Sequence, residues 1–128
     1  MSKVILVGAS KTMISRRFGA QIDSYDVVCR MNEGGLECLL EGNKDIVGSK
    51  TGIWFCTNTN LLLNCNTDMY TETVAFPIKS KIYRNTNEFF NECKKTLNQF
   101  NNFNRRPSCG ILSIFYLSRI YEDITICG

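Results

Sequence analysis

Short apolar runs alternating with helix-patterned stretches constrain this chain more than any other feature. Val4–Val7 is fully apolar and rich in β-branched residues, and Gly8-Ala9-Ser10 stops it, the pattern of a buried strand ending in a tight turn. Similar runs recur at Asp26–Met31, at Ile53–Cys56 within the segment 52–57, at Thr71–Phe76 before Pro77, and at Ile124–Cys127. Thr12 to Ile22 carries Met13, Ile14, Phe18 and Ile22 with Arg16 and Arg17 between them, which predicts a short helix packed on a sheet. Asn58 to Asp68 is polar and reads as a loop. Asn85 or Thr86 can cap a helix through Phe100, in which Phe89, Phe90, Cys93, Leu97 and Phe100 recur at three- and four-residue intervals. Pro107 and Ser108 are a helix-start signature ahead of the apolar stretch Ile111 to Ile120. Strands alternating with helices predict a three-layer α/β/α fold with a mostly parallel sheet, formed by residues 1–128 as a single domain. In such a sheet, ligands sit beyond the carboxyl ends of the strands.

Composition narrows the chemistry. The chain has no histidine, which removes Ser-His-Asp and Cys-His nucleophiles, His-ligated metal sites and the commonest general base. Its formal charge of +3 is too weak to argue for nucleic acid, and anionic small molecules remain open as ligands. Seven cysteines, an odd number with no C-x-x-C pair, lie mostly in apolar stretches and read as reduced thiols in a core. The apolar run after Lys3 is too short for a signal-peptide core or a membrane span, so the chain is expected to start inside its fold.

Three segments hold polar groups where such a sheet presents them. Gly8-Ala9-Ser10-Lys11-Thr12 can turn its amides and hydroxyls toward an anion, or Gly8 can serve turn geometry alone. It matches neither a P-loop nor a dinucleotide fingerprint. Asn32 closes the second strand, and its amide suits sugar hydroxyls or a nucleobase edge; equally, it can simply start the turn with Glu33-Gly34-Gly35. Arg105 and Arg106 precede Pro107-Ser108-Cys109-Gly110 at a helix start, which makes either an anion site or an N-cap flanked by solvated arginines. Asp45 is placed to cap the turn at Gly48.

Together these segments resemble the sialyltransferases of glycosyltransferase family 29. The large sialylmotif is matched by Val7-Gly8-Ala9-Ser10, by Gly19 to Asp23-Ser24 and Asp26, by Val28-x-Arg30-Met31-Asn32, and by Asp45 with Val47-Gly48-Ser49-Lys50-Thr51. The small sialylmotif is matched by Pro107-Ser108-Cys109-Gly110-Ile111-Leu112, an apolar helix, Glu122-Asp123 and a strand ending at Gly128. The resemblance implies a Rossmann-like domain that binds CMP-sialic acid, or a related CMP-activated sugar, and transfers the sugar with inversion to a glycan hydroxyl without a metal or other cofactor. Gly8, Ala9, Ser10 and Asn32 would hold the cytidine, ribose and phosphate. Arg106, Ser108, Cys109 and Gly110 would meet the phosphate and carboxylate.

Departures from the family pattern carry their own expectations. Ala9 replaces the family's nucleotide-contacting Asn, and Arg106 stands where several members carry Tyr. Ungapped alignment puts Val4 and Tyr121 at the family's two disulfide cysteines, so both partners are replaced together, as expected of a cytoplasmic, bacterial or viral type relative. A Golgi-lumen enzyme is the alternative if the chain is a piece of a longer, membrane-anchored protein. The family's remaining motifs, each with a histidine, would follow Gly128, so the resemblance implies a fold truncated at its carboxyl end. The alternative to an enzyme is a non-catalytic nucleotide-sugar-binding remnant or fragment; a base recruited from Asp45 or Glu33 is a further possibility.

Overall fold

The computed structural model describes residues 2–8, 13, 15–36, 40–76, 86–99 and 107–128. All five expected strands are present: β1 Val4–Val7, β2 Val27–Met31, β3 Ile53–Cys56, β4 Glu72–Ala75 and β5 Ile124–Cys127. They form one sheet in the order β4-β3-β2-β1-β5, and every neighbouring pair is parallel. The chain thus steps outward from β1 to β4 on one side and returns to place β5 on the other, making β1 and β5 the point where strand order reverses.

Alternation along the strands sorts the core onto two faces. Val4, Leu6, Cys29, Ile53, Phe55 and Val74 face one layer, built from helices α4 (Thr86–Asn98) and α5 (Cys109–Ser118) through Phe89, Cys93, Leu112, Tyr116 and Leu117. Ile5, Val7 and Val28 face the other with Met13, Ile22, Ile46 and Val47, the last three on or beside α1 (Gly19–Asp23) and α2 (Lys44–Val47). Trp54, Cys56 and Tyr70 extend that second face with Leu61 and Leu62 of α3 (Thr59–Asn64). This is the expected Rossmann-like α/β/α arrangement. Tyr116 makes edge-on ring contacts with Phe55, Phe76 and Phe89, and its hydroxyl donates to Glu72 Oε1 at 2.7 Å, tying α5 to the start of β4.

Three expectations need correction. The expected Thr12–Ile22 helix is not continuous: α1 begins only at Gly19, because Arg17 adopts a left-handed φ of 47° that a right-handed helix cannot pass through, and Thr12 and Ile14 lie outside the described residues. The segment expected to be a loop contains α3: Asn58 caps it, its side-chain oxygen accepting from the amides of Asn60 and Leu61 at 3.0 and 3.3 Å. The carboxylate that holds the Gly48 turn is Asp23, not Asp45. Asp23 accepts from the amides of Ser49 and Lys50 at 2.9 to 3.0 Å and from the Ser49 hydroxyl at 3.1 Å. Gly48 has φ of 75°, and a Cβ there would lie 2.5 Å from Asp23 Oδ1, so the turn admits only glycine.

Arg30 completes this network from β2. It is only 1% exposed, yet its guanidinium is matched: Nε donates to Lys50 O at 3.0 Å and Thr51 Oγ1 at 2.9 Å, and Nη2 donates to Val47 O at 2.7 Å. Burial draws the Arg30 pKa down, opposed by the nearby Asp23 charge. Burial would raise the Asp23 carboxyl, but the amides of Ser49 and Lys50, the Ser49 hydroxyl and the Arg30 charge outweigh it and hold its pKa below the ordinary value.

The six described cysteines are free thiols, and burial pushes Cys29 up to about 12. No helix among the described residues is long and apolar enough to cross a membrane.

Two outcomes test the network. Arg30→Lys keeps the charge but not the fork, and should lower the unfolding free energy in urea by about 2–3 kcal/mol. Because the folded-state pKa of Asp23 is depressed, its stabilisation is present above the unfolded value and is lost as pH falls through the folded one. The melting-temperature gap between wild type and Asp23→Asn should therefore be wide at neutral pH and narrow as pH drops below about 4.

Candidate functional site

The carboxyl ends of the strands bring several of the predicted residues together. Asn32 follows β2 directly and takes a left-handed φ of 45°, a conformation that Asn tolerates better than most residues, opening a 3-10 turn over Asn32–Gly35. Trp54 of β3 fixes that turn by donating Nε1 to Asn32 O at 2.8 Å, while Tyr70 stacks on Trp54 and donates its hydroxyl to Gly35 O at 2.6 Å. The Asn32 side chain reaches across to Thr57, just after β3. Its Oδ1 accepts from Thr57 N at 2.9 Å and its Nδ2 donates to Thr57 Oγ1 at 3.2 Å. One Nδ2 hydrogen is left over from this pairing.

Helix α5 enters the same edge from the other layer. Ser108 is its N-cap, with Oγ accepting from Ile111 N at 3.3 Å. The amides of Cys109 and Gly110 belong to the first turn, whose N–H groups have no intrahelical acceptor. Cys109 interacts with the side chains of Ser113 and Thr57, but burial dominates and pushes its thiol up to about 11, so it is a neutral thiol at physiological pH. Ser113 Oγ turns back to Cys109 O at 2.6 Å.

The two glycines of the predicted site differ physically. Gly8 closes β1, donates its amide to Cys127 O at 2.7 Å, and lies so near the end of β5 that a Cβ would stand 2.6 Å from Gly128 O. Its lack of a side chain is therefore required by the strand packing. Among the described residues, an added Cβ at Gly110 would meet only Met31 Sδ at 3.7 Å and Ser108 Oγ at 3.8 Å, ordinary contacts. Nothing in the described fold demands glycine there.

Met31 links the two halves. Val7 pairs with Arg30, which puts Gly8 level with Met31 on the neighbouring strand, and Met31 Sδ is also the nearest neighbour of a Cβ at Gly110. The end of the first strand and the front of α5 thus converge on one edge. Ala9, Ser10 and Arg106 lie outside the described residues. Asp45 sits on α2, which packs on the opposite face of the sheet from α5, while Glu33 follows Asn32 at the edge itself and is exposed. Val4 and Tyr121 line a single cavity of about 650 Å³ around the amino ends of β1 and β5.

Sequence reasoning did not single out Thr57, the residue that joins Asn32 to Cys109. Its only signal was position: a hydroxyl immediately after the third buried strand. Nor did it identify the Asp23 and Arg30 network as the support of the large-motif turn, because those contacts span 17 to 27 residues. Among the described residues no group of three or more His, Cys, Asp or Glu side chains is placed to hold a metal ion.

Residues 1–83 match the sequence model of glycosyltransferase family 29 (sialyltransferase), a stretch that takes in Gly8, Asn32 and the Val47–Thr51 turn and ends before α5. No curated protein and no solved structure matches the chain. With about two thirds of its length matched, and with an all-parallel sheet whose order reverses beside β1, the chain belongs to glycosyltransferase family 29, the sialyltransferases.

Proposed function

We propose that the carboxyl edge binds a CMP-activated sugar, with CMP-sialic acid the leading donor and a related keto-sugar nucleotide its alternative, for transfer to a glycan hydroxyl. The observation that carries this reading is Gly110, a glycine in the first turn of a ten-residue helix where the described residues leave room for a side chain. A bare Cα beside the Cys109 and Gly110 amides lets a phosphate or carboxylate approach them closely. Ser108 offers its hydroxyl from the cap, and the remaining Asn32 amide hydrogen faces ribose or base. Ala9, Ser10 and Arg106 complete the proposed donor set.

In the proposed reaction the acceptor oxygen attacks the anomeric carbon from the face opposite the phosphate. The bond from that carbon to the phosphate oxygen breaks, CMP leaves with the electron pair, and configuration inverts. Charge grows on the departing phosphate, where the helix amides stabilise it. The acceptor proton passes to a general base. No metal or other cofactor enters this scheme. The Cys109 thiol is not that base, because its pKa is raised to about 11 and it has no acceptor form near neutrality. Glu33 is the exposed carboxylate nearest in sequence to Asn32 and is the candidate within this chain.

A second reading rests on the absence of histidine: the site holds the donor and does not turn it over. Release of CMP from CMP-sialic acid in the presence of oligosaccharide acceptors separates the two. Turnover abolished by Glu33→Gln supports the enzyme; calorimetric binding with no CMP release supports the binding module.

Gly110→Ala should leave the melting temperature unchanged or raise it, since Ala is the better helix former, while weakening CMP binding about tenfold or more. Equal affinity for CMP in the two proteins would remove the donor site from α5. Ser108→Ala should weaken CMP about tenfold as well, with about 1 kcal/mol of stability lost with the cap. Alkylation of Cys109 by iodoacetamide, followed by peptide mass spectrometry, should be slow at neutral pH and climb as pH approaches the thiol pKa of about 11. Saturating CMP should slow it further.

A further inference from the structure

The donor reading leaves a second feature of the same edge unused. A cleft of about 690 Å³ opens between the ends of β3 and β4 and one stripe of α4. Thr57 and Thr59 line it from the sheet side with Phe76, and Asn87, Phe90, Asn91 and Lys94 line it from the helix. The four helical residues fall at i, i+3, i+4 and i+7, so one face of α4 presents them together, beside the Phe89 and Cys93 face that packs on the sheet. The volume lies within the roughly 300–1,000 Å³ of small-molecule sites.

Its chemistry is specific. Aromatic rings meet the C–H faces of a sugar, and amides and hydroxyls bond its oxygens; the half-buried Phe90 is the ring available here, Phe76 being buried in the core, with the asparagines and threonines beside it. Among the described residues, Lys94 is the only charged one in the lining, and the one ion pair, Arg119 with Glu92, does not involve it. An uncompensated ammonium in a concave site favours an anionic group. Thr57 is a common wall: it lines the cleft, and its amide and hydroxyl also hold Asn32. Two sites that share one wall residue are neighbours, the placement that a transfer from one bound molecule to another requires.

We infer that this cleft receives the acceptor, and that the acceptor is an oligosaccharide carrying a carboxylate or comparable anion that sits against Lys94. The acceptor role rests on the donor reading above; the sugar site itself does not. Sialyllactose and lactose serve as probes, titrated into isotope-labelled protein and followed by amide shifts in NMR, with CMP titrated separately. Sialyllactose should shift the amides of Thr57, Asn91 and Lys94 and bind about fivefold more tightly than lactose. Lys94→Gln, on a partly exposed helix face, should erase that preference without changing lactose affinity, CMP affinity or melting temperature.

Equal binding of the two sugars, shifts confined to other surfaces, or a preference that survives Lys94→Gln would overturn the inference. CMP provides the independent arm, with shifts expected at Asn32, Cys109 and Gly110. Sugar binding in the cleft without any CMP response would overturn the donor reading and with it the acceptor role. A CMP response without sugar binding would overturn the cleft alone.

Discussion

A buried guanidinium sets the geometry of this molecule. Arg30 points from the middle strand into the layer of α1 and α2, where an unmatched charge would be strongly destabilising. Among the described residues, the acceptors that satisfy it are Val47 O, Lys50 O and the Thr51 hydroxyl, all in the turn that leads into β3. Asp23 grips the same turn from its amide side. Satisfying one charge therefore positions the start of β3, and the register of β3 places Trp54 under Asn32 and Thr57 beside it. The Asp23, Arg30 and Val47–Thr51 parts of the large-motif pattern thus act structurally, holding the carboxyl edge of the sheet from below.

What could be read from the sequence follows from the range of each interaction. All five strands were legible because each declares itself through its own short β-branched or apolar run: β1, β2 and β3 are buried in the middle of the sheet, while the edge strand β5, with Ile126 exposed, still carries Ile124, Thr125 and Ile126 in succession. The capped start of α5 was legible for the same reason, since Ser108 and Ile111 are three residues apart. α3 was not: its asparagines mask Leu61 and Leu62, whose partners Trp54 and Tyr70 come from other elements. The choice between Asp23 and Asp45 as holder of the Gly48 turn was beyond local reasoning, because Asp45 is nearer in sequence and Asp23 nearer in space. At the site, Asn32 and the α5 start could be named from pattern, whereas Thr57 required the sheet order that makes β3 the neighbour of β2.

The two glycines show why a matched motif does not by itself assign a role. Gly8 and Gly110 both fall in stretches that resemble donor-binding motifs, yet among the described residues only the first meets a neighbour that forbids a side chain. Gly8 donates to Cys127 O and abuts Gly128, so it joins β1 to β5 at the point where strand order reverses. Its amide is already committed there. An amide contact to a donor from the first turn would therefore need an N–H other than that of Gly8.

That difference also bears on how an anion could be recognised at this edge. A net charge of +3 provides little long-range attraction, and the amides of a helix N-terminus act only over their first turn. Recognition built on α5 is therefore short-ranged: the phosphate has to reach the Cys109 and Gly110 amides directly, and a single methyl in the way removes the interaction. Salt, which screens distant charges, would weaken such a contact less than it would weaken one made by exposed lysines. Lys94 in the neighbouring cleft belongs to the second kind. If donor and acceptor occupy these two places, raising ionic strength should erode acceptor affinity well before donor affinity, and the ratio of the two salt slopes measures which physical interaction each site uses.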